Sequence, residues 1–246
     1  KNHKVMKSIE MRKRTGSQEL ERIEGICLKV LNYQENDTII YIFTQNQGVC
    51  HLIGKRVFSK KWGQIHPTPL MHAEFLYLKK SKKNSLFICK EITLINSHLF
   101  LREDYSKLEA ACKMTKMIYD SQLPGNPAPL LYELFKRYLK EMENSSEILN
   151  LLLSFQIKCL RHEGVFSCPP RCEVCSFFLK EAYYLNSHFY CAKHVSDRAL
   201  FFNEKEIRYL QILGFSCNFK EVKELTLEDA FIQKVEYLIE DSKKFF

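Results

Sequence analysis

No run of about eighteen apolar residues occurs in this chain, so no segment reads as a membrane-crossing helix. The most apolar stretch, Ile148 to Leu160, is interrupted by Asn150, Ser154, Gln156 and Lys158. The amino terminus lacks an apolar core followed by small residues. Lys1 to Arg14 is basic, and residues 1–19 are expected to form a solvated arm, not a secretory signal. A phosphate-cradling G-x-x-x-x-G-K-[ST] loop is missing, because Gly48 to Gly54 has neither a helix start nor a Ser or Thr after Lys55. The zinc-deaminase pattern also fails: Arg171 separates Pro170 from Cys172, and His162 and Glu163 are adjacent instead of spaced. His51, His66, His72 and His98 show no ligand or triad spacing, and no repeat or low-complexity segment is present. The expectation is a protein that is not an enzyme.

What the chain does have is a set of metal-ligand residues. Cys172, Cys175, Cys191 and His194 form a C-x2-C pair and a C-x2-H pair separated by fifteen residues. Two chelating turns joined by a hairpin-length loop can close a tetrahedron around Zn2+. With all four positions filled by protein, such a zinc is structural and holds no reactive water. Cys168 and His188 lie near enough to substitute for one of the four, so the metal segment is drawn over residues 168–194. The other cysteines, Cys27, Cys50, Cys89, Cys112, Cys159 and Cys217, are scattered singly, as small hydrophobes in a reducing cytoplasm would be.

The 246 residues, 46% of them hydrophobic, suffice for two domains. Residues 1–98 carry 17 Lys and Arg against 8 Asp and Glu, whereas residues 99–246 carry 20 against 21. A basic module on a neutral one points to a polyanion partner. Residues 20–98 read as five short strands: Arg22 to Leu31, Asp37 to Thr44, Val49 to Lys55, Leu70 to Lys80 and Ser85 to Leu94. Five strands with little room for crossover helices predict a small antiparallel barrel, of which the OB-fold is the natural candidate.

From 99 to 246 the period changes to that of helices, giving an α+β, multi-domain chain. Asp104 is expected to cap a helix with Tyr105, Leu108, Ala111, Cys112, Thr115, Ile118 and Tyr119 on its buried side. A second helix is expected from Asn126 with Pro127 in its first turn. A third, Glu147 to His162, is apolar nearly all round and is expected at the centre of its domain. Aromatic residues between the ligand pairs (Phe177, Phe178, Tyr183, Tyr184, Phe189, Tyr190) are expected to cover the metal on a hairpin. Two further helices are read over 203–213 and 227–242.

Nucleic-acid contacts are expected first in the segment Lys55, Arg56, Val57, Phe58, Ser59, Lys60, Lys61, Trp62, where cations can meet phosphates and an aromatic face can stack on an unpaired base. Lys79, Lys80, Lys82 and Lys83 form a second cluster between the last two strands, although Lys at a hairpin tip also discourages edge pairing.

The ordered succession Glu24-Gly25-Ile26, Tyr33-Gln34-Glu35-Asn36-Asp37, Phe43-Thr44, Gly48 and Leu101-Arg102-Glu103-Asp104, with the ligand pairs after it, resembles RecO, a family of bacterial recombination mediators. Gln34 stands where the family usually has glycine, and His194 where many members have a fourth cysteine. The resemblance implies a DNA-repair protein that binds single- and double-stranded DNA and anneals complementary strands. It would help RecR load RecA onto strands coated by single-stranded DNA-binding protein, whose acidic tail would enter a groove of the helical domain. The resemblance places it in the cytoplasm, with the nucleoid. It adds Lys29 to the contact set of Lys55, Arg56, Lys60, Lys61 and Trp62. The residues themselves leave open an RNA-binding or transcription-complex protein built on the same barrel and zinc ribbon.

Overall fold

The computed structural model describes residues 19–57, 65–79, 86–167, 170–196 and 198–245. They divide into two compact units, one formed by those up to Thr44 and those between Cys50 and Ser97, the other by Gln45–Val49 and those from His98 onward. No helix among the described residues is long and apolar enough to cross a membrane.

The first unit is a closed barrel of five strands: β1 (Glu19–Tyr33), β2 (Asp37–Thr44), β3 (Gly48–Gly54), β4 (His72–Lys79) and β5 (Leu86–Asn96), in the order β1-β2-β3-β5-β4. Period-two alternation builds it. Thr38, Ile40 and Ile42 point inward from β2, and Phe75 and Tyr77 from β4, onto a core completed by Cys27, Leu52 and Ile92. One pairing departs from the all-antiparallel expectation. β4 lies between β1 and β5, so β5 closes the barrel against β3 and runs parallel to it, with His51 opposite Leu86 and Gly54 opposite Cys89. This order, closed by a parallel pair, is that of the small Greek-key barrel expected of an OB-fold. Burial pushes the Cys27 and Cys89 thiols up to about 12, leaving them inert core residues.

The second unit contains seven helices among its described residues. α1 (Phe100–Glu103) and α2 (Tyr105–Ser121) are separated by Asp104, whose carboxylate accepts the N–H groups of Ser106 and Lys107, as an N-cap should. The buried stripe of α2 is rotated from the expected one. Ala110, Ala111, Met114, Thr115, Met117 and Ile118 face inward, while Tyr105 and Cys112 are exposed. The next helix, α3 (Pro129–Glu141), starts three residues later than expected. A residue before proline disfavours the helical region, so Ala128 cannot be helical and Pro129 becomes the first helical position.

α4 (Ile148–His162) is the axis of the unit. Eleven of its fifteen residues are buried, and it packs against α2, α3, α5 (Glu204–Phe215), α6 (Phe219–Lys223) and α7 (Asp229–Ser242). Two of its buried polar residues, Ser154 and Asn150, are satisfied inside. Ser154 donates to the Leu213 carbonyl at 2.6 Å and pairs with the Tyr138 hydroxyl at 2.7 Å, and the Asn150 amide donates to the carbonyls of Val222, Lys223 and Leu225. A small sheet, β7 (His188–Tyr190), β6 (Ala182–Leu185) and β8 (Leu200–Phe202), completes the unit.

Candidate metal centre and nucleic-acid interface

The metal-ligand residues sit on two turns at one end of the β6–β7 hairpin. In the first turn Cys172 N–H donates to the Phe177 carbonyl at 2.9 Å and Ser176 N–H to the Cys172 carbonyl at 2.8 Å, with Ser176 in the left-handed region. His194 N–H closes the second turn on the Cys191 carbonyl at 3.0 Å. The turns are joined where Glu173 N–H meets the Phe189 carbonyl at 2.9 Å. Behind them the tight turn of the hairpin, Asn186 and Ser187, both at positive φ, is tied to α7. Asp241 accepts the N–H and hydroxyl of Ser187 and the hydroxyl of Tyr184. Burial raises the Asp241 carboxyl, but bonds from Lys244, Ser187 and Tyr184 outweigh it and hold the group below its usual range.

One ligand atom from each of Cys172, Cys175, Cys191 and His194 lies within 4.8 Å of the other three. His194 Nδ1 is 3.4 Å from Cys172 Sγ and 3.3 Å from Cys191 Sγ. Ordinary zinc bond lengths put a sulfur and a nitrogen about 3.6 Å apart on a tetrahedron, so the residues fit a four-coordinate metal. The electrostatics agree. Burial pushes the Cys172 thiol up, yet N–H groups of Cys175 and Cys191, the His194 ring and Val174 N–H overcome this and pull it down to about 5. Cys175 receives the Phe177 N–H, which lowers it, but burial and the sulfurs of Cys172 and Cys191 raise it on balance. Sulfurs crowded in this way repel one another as thiolates, and a cation between them removes the repulsion. His188 turns away, with its ring bonded to the Asn186 carbonyl and 4.0 Å from Glu173. Cys168 lies outside the described residues. Phe177 and Phe178 do not cover the centre as expected; they are 73% and 60% exposed.

On the barrel, Lys29, Lys55 and Arg56 are exposed. Arg56, at positive φ, donates its N–H to Asp37 Oδ1 at 3.0 Å and Val57 donates to the Asn36 carbonyl, which pins the turn after β3 beside the β1–β2 turn. Lys79 ends β4. Lys60, Lys61, Trp62, Lys80, Lys82 and Lys83 lie outside the described residues. The charge partition is informative. Up to residue 98 the described residues carry six Lys and Arg against seven Asp and Glu, whereas 1–18, 58–64 and 80–85 carry eleven against one. The barrel frame is close to neutral, and the positive excess belongs to residues 1–18, 58–64 and 80–85.

Two aromatic residues gain a place that the sequence did not suggest for them. Tyr41 on β2 pairs with Lys29 on β1, and its ring lies 4.5 Å from that of His51 on β3, both half-buried on the barrel exterior. Their alternation with the inward residues of the same strands is the signal that could have found them.

The second unit holds a groove of about 290 Å³. Leu130, Leu134, Phe215 and Phe219 give it an apolar lining, and Arg137, Lys158 and Arg161 give it charge. The cations lie over rings: Arg137 over Phe219 at 5.4 Å, Lys158 over Tyr138 at 5.3 Å and Arg161 over Phe215 at 3.6 Å. None of the three forms an ion pair among the described residues. Burial lowers the Lys158 ammonium to about 8, with the charges of Arg137 and Arg161 acting in the same direction against Cys217.

Comparison with known proteins supplies the context for this arrangement. A family model described as "Recombination protein O C terminal" matches residues 102–241. A protein of Chlamydia pneumoniae named DNA repair protein RecO is 28% identical over 149 residues, 60% of this chain and 59% of its own length. Proteins of the same name from Staphylococcus aureus and Acetivibrio thermocellus are 26% and 27% identical, covering 63% and 70% of this chain and 61% and 69% of their own. The alignment thus spans about three fifths of the first of these relatives. Because the matched family model takes in more than half of the chain, from the end of α1 through α7, this chain belongs to the recombination protein O family, RecO.

Proposed function

We propose that this protein is a non-enzymatic mediator of DNA repair by recombination. It binds single- and double-stranded DNA, anneals complementary strands, and helps RecR load RecA onto strands coated with single-stranded DNA-binding protein. The observation that carries the reading is the pairing of an OB-ordered barrel, whose cations lie on its connecting segments, with a helical unit of this family. In such barrels strands 2 and 3 and the loops between strands 1–2 and 4–5 form the binding face. Tyr41 and His51 occupy that face, and Lys80, Lys82 and Lys83 fall in the 4–5 connection. Cations on these segments neutralise phosphates and release counterions, while base edges stay free to pair.

The apolar groove, with three cations that bond backbone carbonyls but hold no ion pair among the described residues, supports a site for the acidic, apolar tail of single-stranded DNA-binding protein. Arg137 and Arg161 can meet a carboxylate while Leu130, Phe215 and Phe219 receive an apolar side chain. The metal is Zn2+ in a structural role. Three sulfurs and one imidazole suit zinc, and four protein ligands leave no position for substrate. Its chemistry is to tie the two turns together and so fix the hairpin against α7. The setting is the cytoplasm, at the nucleoid.

The decisive assay is annealing of complementary oligonucleotides coated with single-stranded DNA-binding protein, with and without RecR and RecA. Acceleration of pairing, and RecR-dependent RecA loading, are expected. Preference for 2′-hydroxyl-bearing strands without annealing would instead identify an RNA-binding protein.

A further inference from the structure

Most lysines of the second unit are neutralised by neighbours: Lys113, Lys116, Lys136, Lys205, Lys220, Lys223, Lys234, Lys243 and Lys244 all hold ion pairs. The first metal-binding turn is different. Arg171, Lys180 and Arg208 are exposed and hold no ion pair among the described residues, and all three lie close to Phe178. The Arg171 guanidinium sits 3.8 Å from the centre of the Phe178 ring, and Lys180 and Arg208 line the same cleft as that ring, with Glu204 as its one carboxylate.

The backbone explains why two phenylalanines remain outside. Leu179 N–H donates to the Pro170 carbonyl and Arg171 bridges Phe178, so 177–179 is an extended segment held against 170–172. Leu179 points into the core and is 7% exposed, whereas Phe177 and Phe178 stand in solvent, as does Val174 of the same turn, 63% exposed. An apolar patch of this kind on a pinned turn marks an interaction surface. Its backbone is held before a ligand arrives, so binding has little of the main chain to order.

We propose that this turn, centred on Phe177 and Phe178 with Arg171, Lys180 and Arg208 around them, is a second single-strand contact surface, separate from the barrel. Charge complementarity selects the occupant: Arg171, Lys180 and Arg208 outnumber the Glu204 carboxylate and call for a polyanion, and flat aromatic faces call for unpaired bases. Two strand-binding surfaces on one protein would let it hold two strands at once, as annealing requires. The inference rests on the strand-binding reading above and adds a site to it.

The test uses the full chain and a single-stranded oligonucleotide carrying 5-iodouracil. On irradiation, cross-links are expected within the peptide that contains Phe177 and Phe178. Phe177→Ala with Phe178→Ala is expected to weaken strand affinity by roughly five- to a hundredfold, from the loss of stacking. Arg171→Gln with Lys180→Gln is expected to reduce the salt dependence by about 1.4 in log–log slope. Metal content should be unchanged in both. Absence of that cross-link in the wild-type chain, with affinity unaltered in both variants, overturns the second surface. If binding then still falls in Lys60→Ala with Lys61→Ala, the barrel reading stands alone. A wild-type chain that binds no strand overturns both.

Discussion

Asn150 offers the sharpest test of how the helical unit holds its groove. It is buried on α4, and its single amide group serves three carbonyls at the end of α6: Val222 at 3.1 Å, Lys223 at 3.4 Å and Leu225 at 2.9 Å. Those carbonyls have no partner within so short a helix. Asn150→Leu keeps the branching at Cγ and removes the donors. Val222 is fully buried, so its carbonyl cannot recruit water and its loss costs about 1–3 kcal/mol, while the half-exposed Lys223 and Leu225 can be rehydrated at little cost. The net effect on α6 is about 2 kcal/mol, equivalent to roughly thirtyfold faster amide exchange across 219–225. Asn150→Asp should do worse, since a carboxylate then faces carbonyl oxygens. α6 supplies Phe219, which packs edge-on against Tyr138 and lines the groove, so the groove's affinity for an acidic apolar peptide should fall in parallel. Native-state hydrogen exchange reads the first effect and peptide anisotropy the second. Unchanged exchange over 219–225 in both variants would refute the assignment of Asn150 as the anchor of α6.

Three other outcomes follow from the same structure. Removing the metal with a chelator, or replacing Cys175 with Ser, should take bound zinc from one per chain to none and lower the unfolding midpoint of the second unit, as calorimetry with metal analysis can measure. Lys158 is charged below about pH 8 and neutral above it, so acidic-peptide binding in the groove should weaken between pH 7 and pH 9, and Lys158→Met should flatten that profile; a profile unaltered by the substitution counts against the groove's electrostatics. Asp104→Ala removes the cap on α2 and should cost about 1 kcal/mol in denaturant unfolding, with DNA binding retained.

The barrel was legible because its strands bury one face each, and period two survives in short runs such as Thr38, Ile40 and Ile42. Direction was less legible: nothing local to β3 or β5 says that they meet in parallel, since that follows from β4 lying between β1 and β5. The rotated stripe of α2 has a similar origin. Apolar residues occupy most of that helix's circumference, so Tyr105 and Cys112 compete with Met114 and Met117, and only the neighbouring α4 decides. α1, α6 and β8 are three to five residues long, too short to show a period. The gathering of Cys172, Cys175, Cys191 and His194 was readable from spacing, because chelating turns are local. What spacing could not tell is that Phe177 and Phe178 turn outward, since that depends on Leu179 occupying the core. The groove joins α3, α4, α5 and α6 and has no contiguous signature at all.

The central claim is that strands are gripped by cations on segments attached to a near-neutral barrel, and the salt dependence of single-strand binding addresses it most directly. Each phosphate contact contributes about 0.7 to the slope of log affinity against log salt for a single strand. Lys60→Ala with Lys61→Ala should therefore lower the slope by about 1.4 and weaken binding alike on all sequences. A slope identical to that of the unaltered chain would contradict the account.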